Sequence, residues 1–214
     1  MKSVDVFWSF RSPYSYFSTK RLRNLSKKWE VQVRPRPVYP LAIRTPNFFA
    51  EIKPQWVPYL MNDIVRLSQY LELPLGPLNP DPVTMNMFTK EIAAEQPHIH
   101  RLTRLGILAC EAGDDQGWAF MDEVSSLIWS GGAWTEGTAL SEAATRAGFN
   151  LAELDACQKI ETDRIEAIIA KNQADQDKYH WGVPTMVFDD ETFFGQDRID
   201  LLEWRLEQAG VNRL

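Results

Sequence analysis

Apolar and polar positions change their period several times along the chain, and each change predicts an element. Val4, Val6, Trp8 and Phe10 alternate with Asp5, Phe7 and Ser9, the period of two expected of a mostly buried strand. Ser12 then stands where a helix N-cap belongs, and Pro13 follows at the first helical position, where its missing N–H costs nothing. The helix is expected to run to about Lys28, with Phe17, Leu22, Leu25 and Trp29 as a rough apolar stripe. Lys20, Arg21, Arg23, Lys27 and Lys28 crowd its C-terminal half, where positive charge suits the helix dipole, and read as a solvated face. Val31, Val33 and Val38 mark a second strand, interrupted by Pro35 and Pro37. Strand, helix and strand in so short a span make a βαβ unit with parallel strands and a right-handed crossover.

Proline then takes over. Eleven of the 13 prolines fall between Pro35 and Pro97, which predicts long connections broken by one helix carrying Leu60, Ile64, Leu67 and Leu71. The aromatic side chains here (Tyr39, Phe48, Phe49, Trp56, Tyr59) argue that these connections cover something. From about 99 to 173 the pattern is helical throughout. Its stripes are Leu102, Leu105, Ala109 and Ala112, then Trp118, Met121, Val124 and Ile128. Ala139, Ala143, Ala144 and Ala147 follow, closed by Gly148, and Ile160, Ile165, Ile168 and Ile169 are assigned to one last long helix. At Val183 the period returns to that of strands. Val183–Phe188 is a strand, Asp189-Asp190-Glu191 a turn, and Thr192-Phe193-Phe194 a second strand ending at Gly195. A final helix bears Ile199, Leu202, Leu206 and Ala209, so the chain closes on a ββα unit.

Composition narrows the classes of function. Apolar residues make up 44% and charged residues 24% of 214, ordinary for a globular protein with a substantial core. A net charge of −6 argues against a nucleic-acid binder, which needs a basic surface. No apolar run approaches a membrane span and no secretory pattern is visible, so a cytoplasmic protein with no membrane partner is expected. Cys110 and Cys157 lie far apart and read as small buried side chains, not a disulfide. His98 and His100 are two apart at a helix entry, without a third ligand nearby, so no metal site is expected. His180 reads as a surface residue or as part of a site lining.

The chemistry is expected at the first strand–helix junction. Backbone N–H groups and the positive end of the dipole converge there and favour an anion. From the residues alone Ser12 is either a plain cap or a ligand contact. Gln196 and Asp197 stand at another helix start, where Asp197 also reads as a cap.

Three stretches in register resemble the family of 2-hydroxychromene-2-carboxylate isomerases and kappa-class glutathione transferases, within the DsbA-like proteins. They are Ser12-Pro13-Tyr14-Ser15-Tyr16, Trp181-Gly182-Val183-Pro184-Thr185, and Phe193-Phe194-Gly195-Gln196-Asp197-Arg198 followed by Asp200-Leu201-Leu202. The resemblance covers nearly the whole chain. It implies an α/β thioredoxin-like fold with a large helical insertion: residues 1–40 and 180–214 as the thioredoxin-like part, 41–179 as the insert. It implies glutathione as cofactor, with Ser12 donating to the bound sulfur where a redox relative would carry a Cys-x-x-Cys pair. Val183-Pro184 is similar to the family's cis-proline loop, which pairs with the cysteinyl part of glutathione. Gln196 and Asp197 match positions that hold the γ-glutamyl end, and Asn47 the glycine-carboxylate contact. The family's nearby lysine would fall near Trp56, with Lys53 as a possible substitute. Ser9 stands where the family often has Asp, and Arg11 replaces a common Leu. The implied activity is glutathione-dependent isomerisation of a small aromatic carboxylate, as a homodimer. The alternatives are a kappa-like transferase and a binding module without chemistry.

Overall fold

A computed structural model describes residues 1–45, 47–86, 89 and 91–214, leaving aside the side chains of 49 and 50. Phe49, one of the predicted covering aromatics, therefore lies outside the described side chains. The chain begins with β1 (Lys2–Trp8), α1 (Pro13–Lys28) and β2 (Val31–Pro37). Next come the short helices α2 (Leu41–Arg44) and α3 (Phe48–Glu51), then α4 (Trp56–Tyr70). The helical stretch holds α5 (Pro97–Glu111), α6 (Asp114–Trp129), α7 (Ala139–Arg146), α8 (Leu151–Ile160) and α9 (Thr162–Gln176). The chain ends with β3 (Thr185–Phe188), β4 (Glu191–Phe194), a 3-10 turn at Gln196–Arg198, and α10 (Ile199–Gln208).

The four strands form one sheet in the order β2-β1-β3-β4. β1 is parallel to β2, with Val6 opposite Pro35, and antiparallel to β3, with Val6 opposite Met186. β4 returns antiparallel to β3 through Asp189 and Asp190, both at positive φ (49° and 63°). The βαβ and ββα units predicted from the ends of the chain thus meet in one α/β thioredoxin-like sheet. Val4, Val6 and Trp8 face α1 and α10, in one buried cluster with Leu22, Leu25, Leu202 and Leu206. The Trp8 indole N–H donates to Ser15 O and Thr19 Oγ1, both at 3.0 Å, which fixes α1 over the strand. Phe7 points to the opposite face, beside Val38 and Val187.

Two expectations change. Pro35 and Pro37 do not interrupt β2; the strand runs through both. β2 is an edge strand, and the carbonyls of Val33 and Pro37 turn outward, accepting from the Trp118 indole at 2.9 Å and Asn172 at 3.1 Å. Residues 35 and 37 share that outward direction, so their missing N–H groups remove no bond to β1. The long helix assigned to Ile160 through Ile169 is two helices that break at Glu161. Five residues separate Ile160 from Ile165, about 140° around a helix. Ile160 therefore falls off the stripe of Ile165 and Ile169 and is 84% exposed.

Much of the helical stretch shares the sheet's core, while Ile107 and Leu108 of α5 pack with Ile165 and Ile169 of α9 in a smaller cluster of their own. The cluster that holds Val4, Val6 and Trp8 also holds Ile99, Leu102 and Leu105 of α5 and Phe120 and Met121 of α6. No helix among the described residues is long and apolar enough to cross a membrane.

Candidate functional site

Beside the start of α1 lies a cleft of about 740 Å³. Ser12 and Tyr14 form one wall, Trp181, Gly182 and Val183 a second. Leu60, Met61 and Ile64 of α4, the 75–85 connection and Trp129 close the remainder. The lining is overwhelmingly apolar, and its charged members among the described residues are Arg11 and Arg44. The proline-rich connections do cover something, as their aromatics predicted.

Ser12 takes the capping role that its sequence offered. Its backbone is extended (φ −93°, ψ 119°) and its Oγ accepts from the Ser15 N–H at 3.1 Å, the bond of an N-cap. The same hydroxyl donates to the Val183 carbonyl across the cleft at 3.3 Å. The strand–helix junction and the proline loop are thereby brought together although 171 residues separate them.

The loop carrying Val183 is held from three sides. The Val183–Pro184 peptide bond is cis. The Gly182 carbonyl accepts from buried Gln176 at 2.6 Å and from Thr185 Oγ1 at 2.7 Å, and the Gly182 N–H donates to His180 Nδ1 at 2.9 Å. A Cβ on Gly182 would stand 2.5 Å from the Phe194 ring, so a side chain here would displace the ring or the loop. His180 stacks on Trp181 and on Phe194, with ring centroids 5.0 and 3.7 Å away, and those two rings also meet each other at 5.9 Å. Burial lowers its pKa, which favours the neutral ring that accepts from Gly182.

Tyr14 donates to Asp63 Oδ2 at 2.7 Å. Burial, then this carboxylate, push the phenol well above its ordinary value, with Asp197 adding to the effect, so Tyr14 stays protonated. Ser9 beneath the junction is buried, and its Oγ has no hydrogen-bond partner among the described residues. Neither Cys110 nor Cys157 lines the cleft, and burial raises both thiols.

The other residues named from the sequence are placed apart from the lining. Gln196 is buried under the 3-10 turn, its backbone and side-chain oxygens accepting from Arg21 at 3.0 and 3.4 Å. Asp197 is exposed and pairs with Arg198 at 3.4 Å. Asn47 precedes α3 with no side-chain capping bond, and Asn47 and Lys53 are both exposed. Pro184 follows Val183 directly into β3. Among the described residues no cluster of three or more His, Cys, Asp or Glu is placed to hold a metal ion.

Sequence reading missed Gln176 as the clamp of the proline loop and Asp81 as the partner of Arg11. It also passed over Arg44, which donates to Gln176 Oε1 at 2.6 Å and pairs with Asp177. A polar residue at the end of an apolar helix stripe was the one available signal for Gln176.

A thioredoxin-like sheet with an inserted helical stretch and a capped junction facing a cis-proline loop defines a class. Residues 3–207 match the family described as the DSBA-like thioredoxin domain, and the chain belongs to that family. Within it, the chain is 26% identical to the 2-hydroxychromene-2-carboxylate isomerase of Sphingobium xenophagum, over 94% of this chain and 96% of that protein. A solved 2-hydroxychromene-2-carboxylate isomerase shares the fold at a TM-score of 0.71 with 20% identity, over 97% of this chain and 95% of the other. The cytosolic disulfide reductase DsbM from Pseudomonas aeruginosa shares it at 0.58 with 19% identity, over 96% and 99%.

Proposed function

We propose that this protein is a glutathione-dependent isomerase of 2-hydroxychromene-2-carboxylate or a similar aromatic acid. The observation that carries the reading is the Ser12 hydroxyl, held at the N-terminus of α1, facing the Val183 carbonyl across an apolar cleft without a thiol of its own. The scaffold that stabilises a thiolate is kept while the thiol must come from the ligand. The sequence likeness to an isomerase named for this substrate supports the choice of reaction.

The geometry suggests how the proton moves. The Ser12 O–H donates to Val183 O. A glutathione cysteinyl group lying along the loop like an added strand would give its own N–H to that carbonyl. The Ser12 hydroxyl would then turn to the sulfur. A hydrogen bond to a charged group is worth roughly 1.5–3 kcal/mol, which lowers the thiol pKa by about one to two units. The thiolate adds to the conjugated carbon of the acceptor, forming a C–S bond and moving the electron pair to the carbonyl as an enolate. The former double bond is now single and rotates. Collapse of the enolate re-forms the double bond and expels the thiolate, so glutathione is returned. Asp197 would meet the ligand's ammonium, and Asn47 or Lys53 its glycine carboxylate.

Ser12→Ala should keep the fold, at a cost of about 1 kcal/mol for the lost cap, and reduce turnover by roughly tenfold to a hundredfold. Full activity of Ser12→Ala with glutathione present would reject the mechanism. Conjugation of chlorodinitrobenzene without isomerase activity would instead mark a transferase. A melting temperature unmoved by millimolar glutathione would favour a binding module, since a ligand at 100 times its Kd adds about 2.7 kcal/mol.

A further inference from the structure

The cleft contains one feature that the thiol chemistry does not use. Arg11, next to Ser12 in sequence, lines it with a quarter of its side chain exposed. Its guanidinium is fixed on two sides. Nε and Nη2 donate to the two oxygens of Asp81 at 2.5 and 2.7 Å, and the plane lies 5.7 Å from the Trp129 ring centroid. Asp81 is itself tied down by the Val83 N–H at 2.9 Å. Asp81 does not line the cleft, whereas Arg11 and Trp129 do.

This arrangement leaves a defined edge free. A guanidinium has five N–H donors, and the fork on Asp81 uses one from Nε and one from Nη2. Nη1 makes no hydrogen bond to any described residue. The end-on pair of N–H groups, one each from Nη1 and Nη2, therefore stays available in the geometry that receives a carboxylate with two parallel bonds. Because Asp81 and Trp129 already hold the plane, little further side-chain freedom is lost when an anion arrives. Arg44, the other cation of the lining, is not equivalent. Its Nη1 is shared between Gln176 and the Trp181 carbonyl, its Nη2 goes to Asp177, and its side chain is only 11% exposed.

We propose that Arg11 is the specificity-determining residue of the cleft, its free edge receiving the carboxylate of a flat apolar acceptor whose body lies in the apolar lining. The site then selects aromatic acids over their uncharged counterparts. The inference rests on the cleft being the acceptor site of the proposed reaction, but not on glutathione binding there.

Calorimetric titration with cinnamate and with cinnamamide, both without glutathione, tests it by charge alone. The wild type should bind cinnamate about 10 to 100 times more tightly than the amide, the worth of hydrogen bonds to a charged group. Arg11→Leu should abolish that preference through loss of cinnamate affinity, leaving the amide within about threefold of the wild type, and Arg11→Lys should keep part of it. Asp81→Asn breaks the fork without removing the cation and should retain the preference. Equal binding of the two probes by the wild type, no binding of either, or a preference that survives Arg11→Leu would each overturn the proposal. So would parallel losses for both probes in Arg11→Leu and Asp81→Asn, which would show a latch on the 75–85 connection and nothing more. Failure of the glutathione reading would appear separately, as an unmoved melting temperature with glutathione.

Discussion

Ser12 shows how one side chain joins two distant parts of the chain. Its oxygen accepts from α1 while its proton reaches the loop of Val183, so the residue that starts the helix also measures the distance to the opposite wall. Replacing that oxygen with sulfur reports on whether a glutathione sulfur can come this close. In Ser12→Cys the helix N-terminus should lower the new thiol's pKa. The thiolate would attack one sulfur of oxidised glutathione, forming a mixed disulfide and releasing the other half as a thiolate. Intact-mass measurement should find one glutathione per chain within minutes. The wild type should gain little, because burial raises the thiols of Cys110 and Cys157. No adduct on the variant beyond that on the wild type would mean that glutathione does not reach this position. Ser12 was legible in the sequence as a cap before proline, and Val183 only through the resemblance of its stretch to the cis-proline loop of the isomerase and kappa-class family. Asp81 and Gln176 were not. The role of Asp81 comes from a partner 70 residues away, which no local pattern encodes; that of Gln176 comes from a backbone carbonyl beyond a helix end, which a polar residue closing an apolar stripe signals without naming.

At the scale of elements, the prolines of β2 and the aromatic stack at His180 illustrate opposite uses of an exposed edge. Periodicity located β2, but proline propensity suggested an interruption; only the sheet order shows that those positions face away from β1. The short segment between α9 and β3 is held differently, by a stacked imidazole that must stay neutral to accept from Gly182. Burial places the pKa of His180 below its ordinary 6.5, and His98 and His100 shift in the same direction. The sign follows directly. Above about pH 6.5 folded and unfolded chains hold these rings equally deprotonated, and there is no contribution. As pH falls through 6.5 towards the lower folded values, the unfolded chain takes up protons first, and stability is lost. His180→Phe preserves the stack and removes one of the three titrating groups. Its urea midpoint should therefore fall less than that of the wild type between about pH 7.5 and about pH 5.5, whatever its offset at neutral pH. Identical slopes in the two proteins would place the acid sensitivity elsewhere.

Over the whole molecule, the inserted helices and the sheet they interrupt share one buried cluster, in which Trp8 and Phe10 meet Phe120 and Leu105. Gly106 on α5 leaves room for this contact; a Cβ there would stand 3.1 Å from the Phe10 ring. Trp129 of α6 stacks on Tyr16 of α1, and its indole donates to Phe10 O at 3.1 Å. The sequence divides the chain by its periods, yet periods report neighbours along an element and are silent on which elements share a core. A core held in common predicts common unfolding. Leu102→Ala, wholly within α5, should cost about 2–5 kcal/mol by removing a fully buried side chain. If the insert and the sheet unfold as one unit, that loss should appear equally in hydrogen exchange of the most protected amides of β1 and β3 and in those of α5 and α6. Loss confined to α5 and α6 would instead show that the helices open by themselves. In the cooperative case Ser12 and Val183 stay in register only while the insert is folded, so the cleft wall and the strand–helix junction form and fail together.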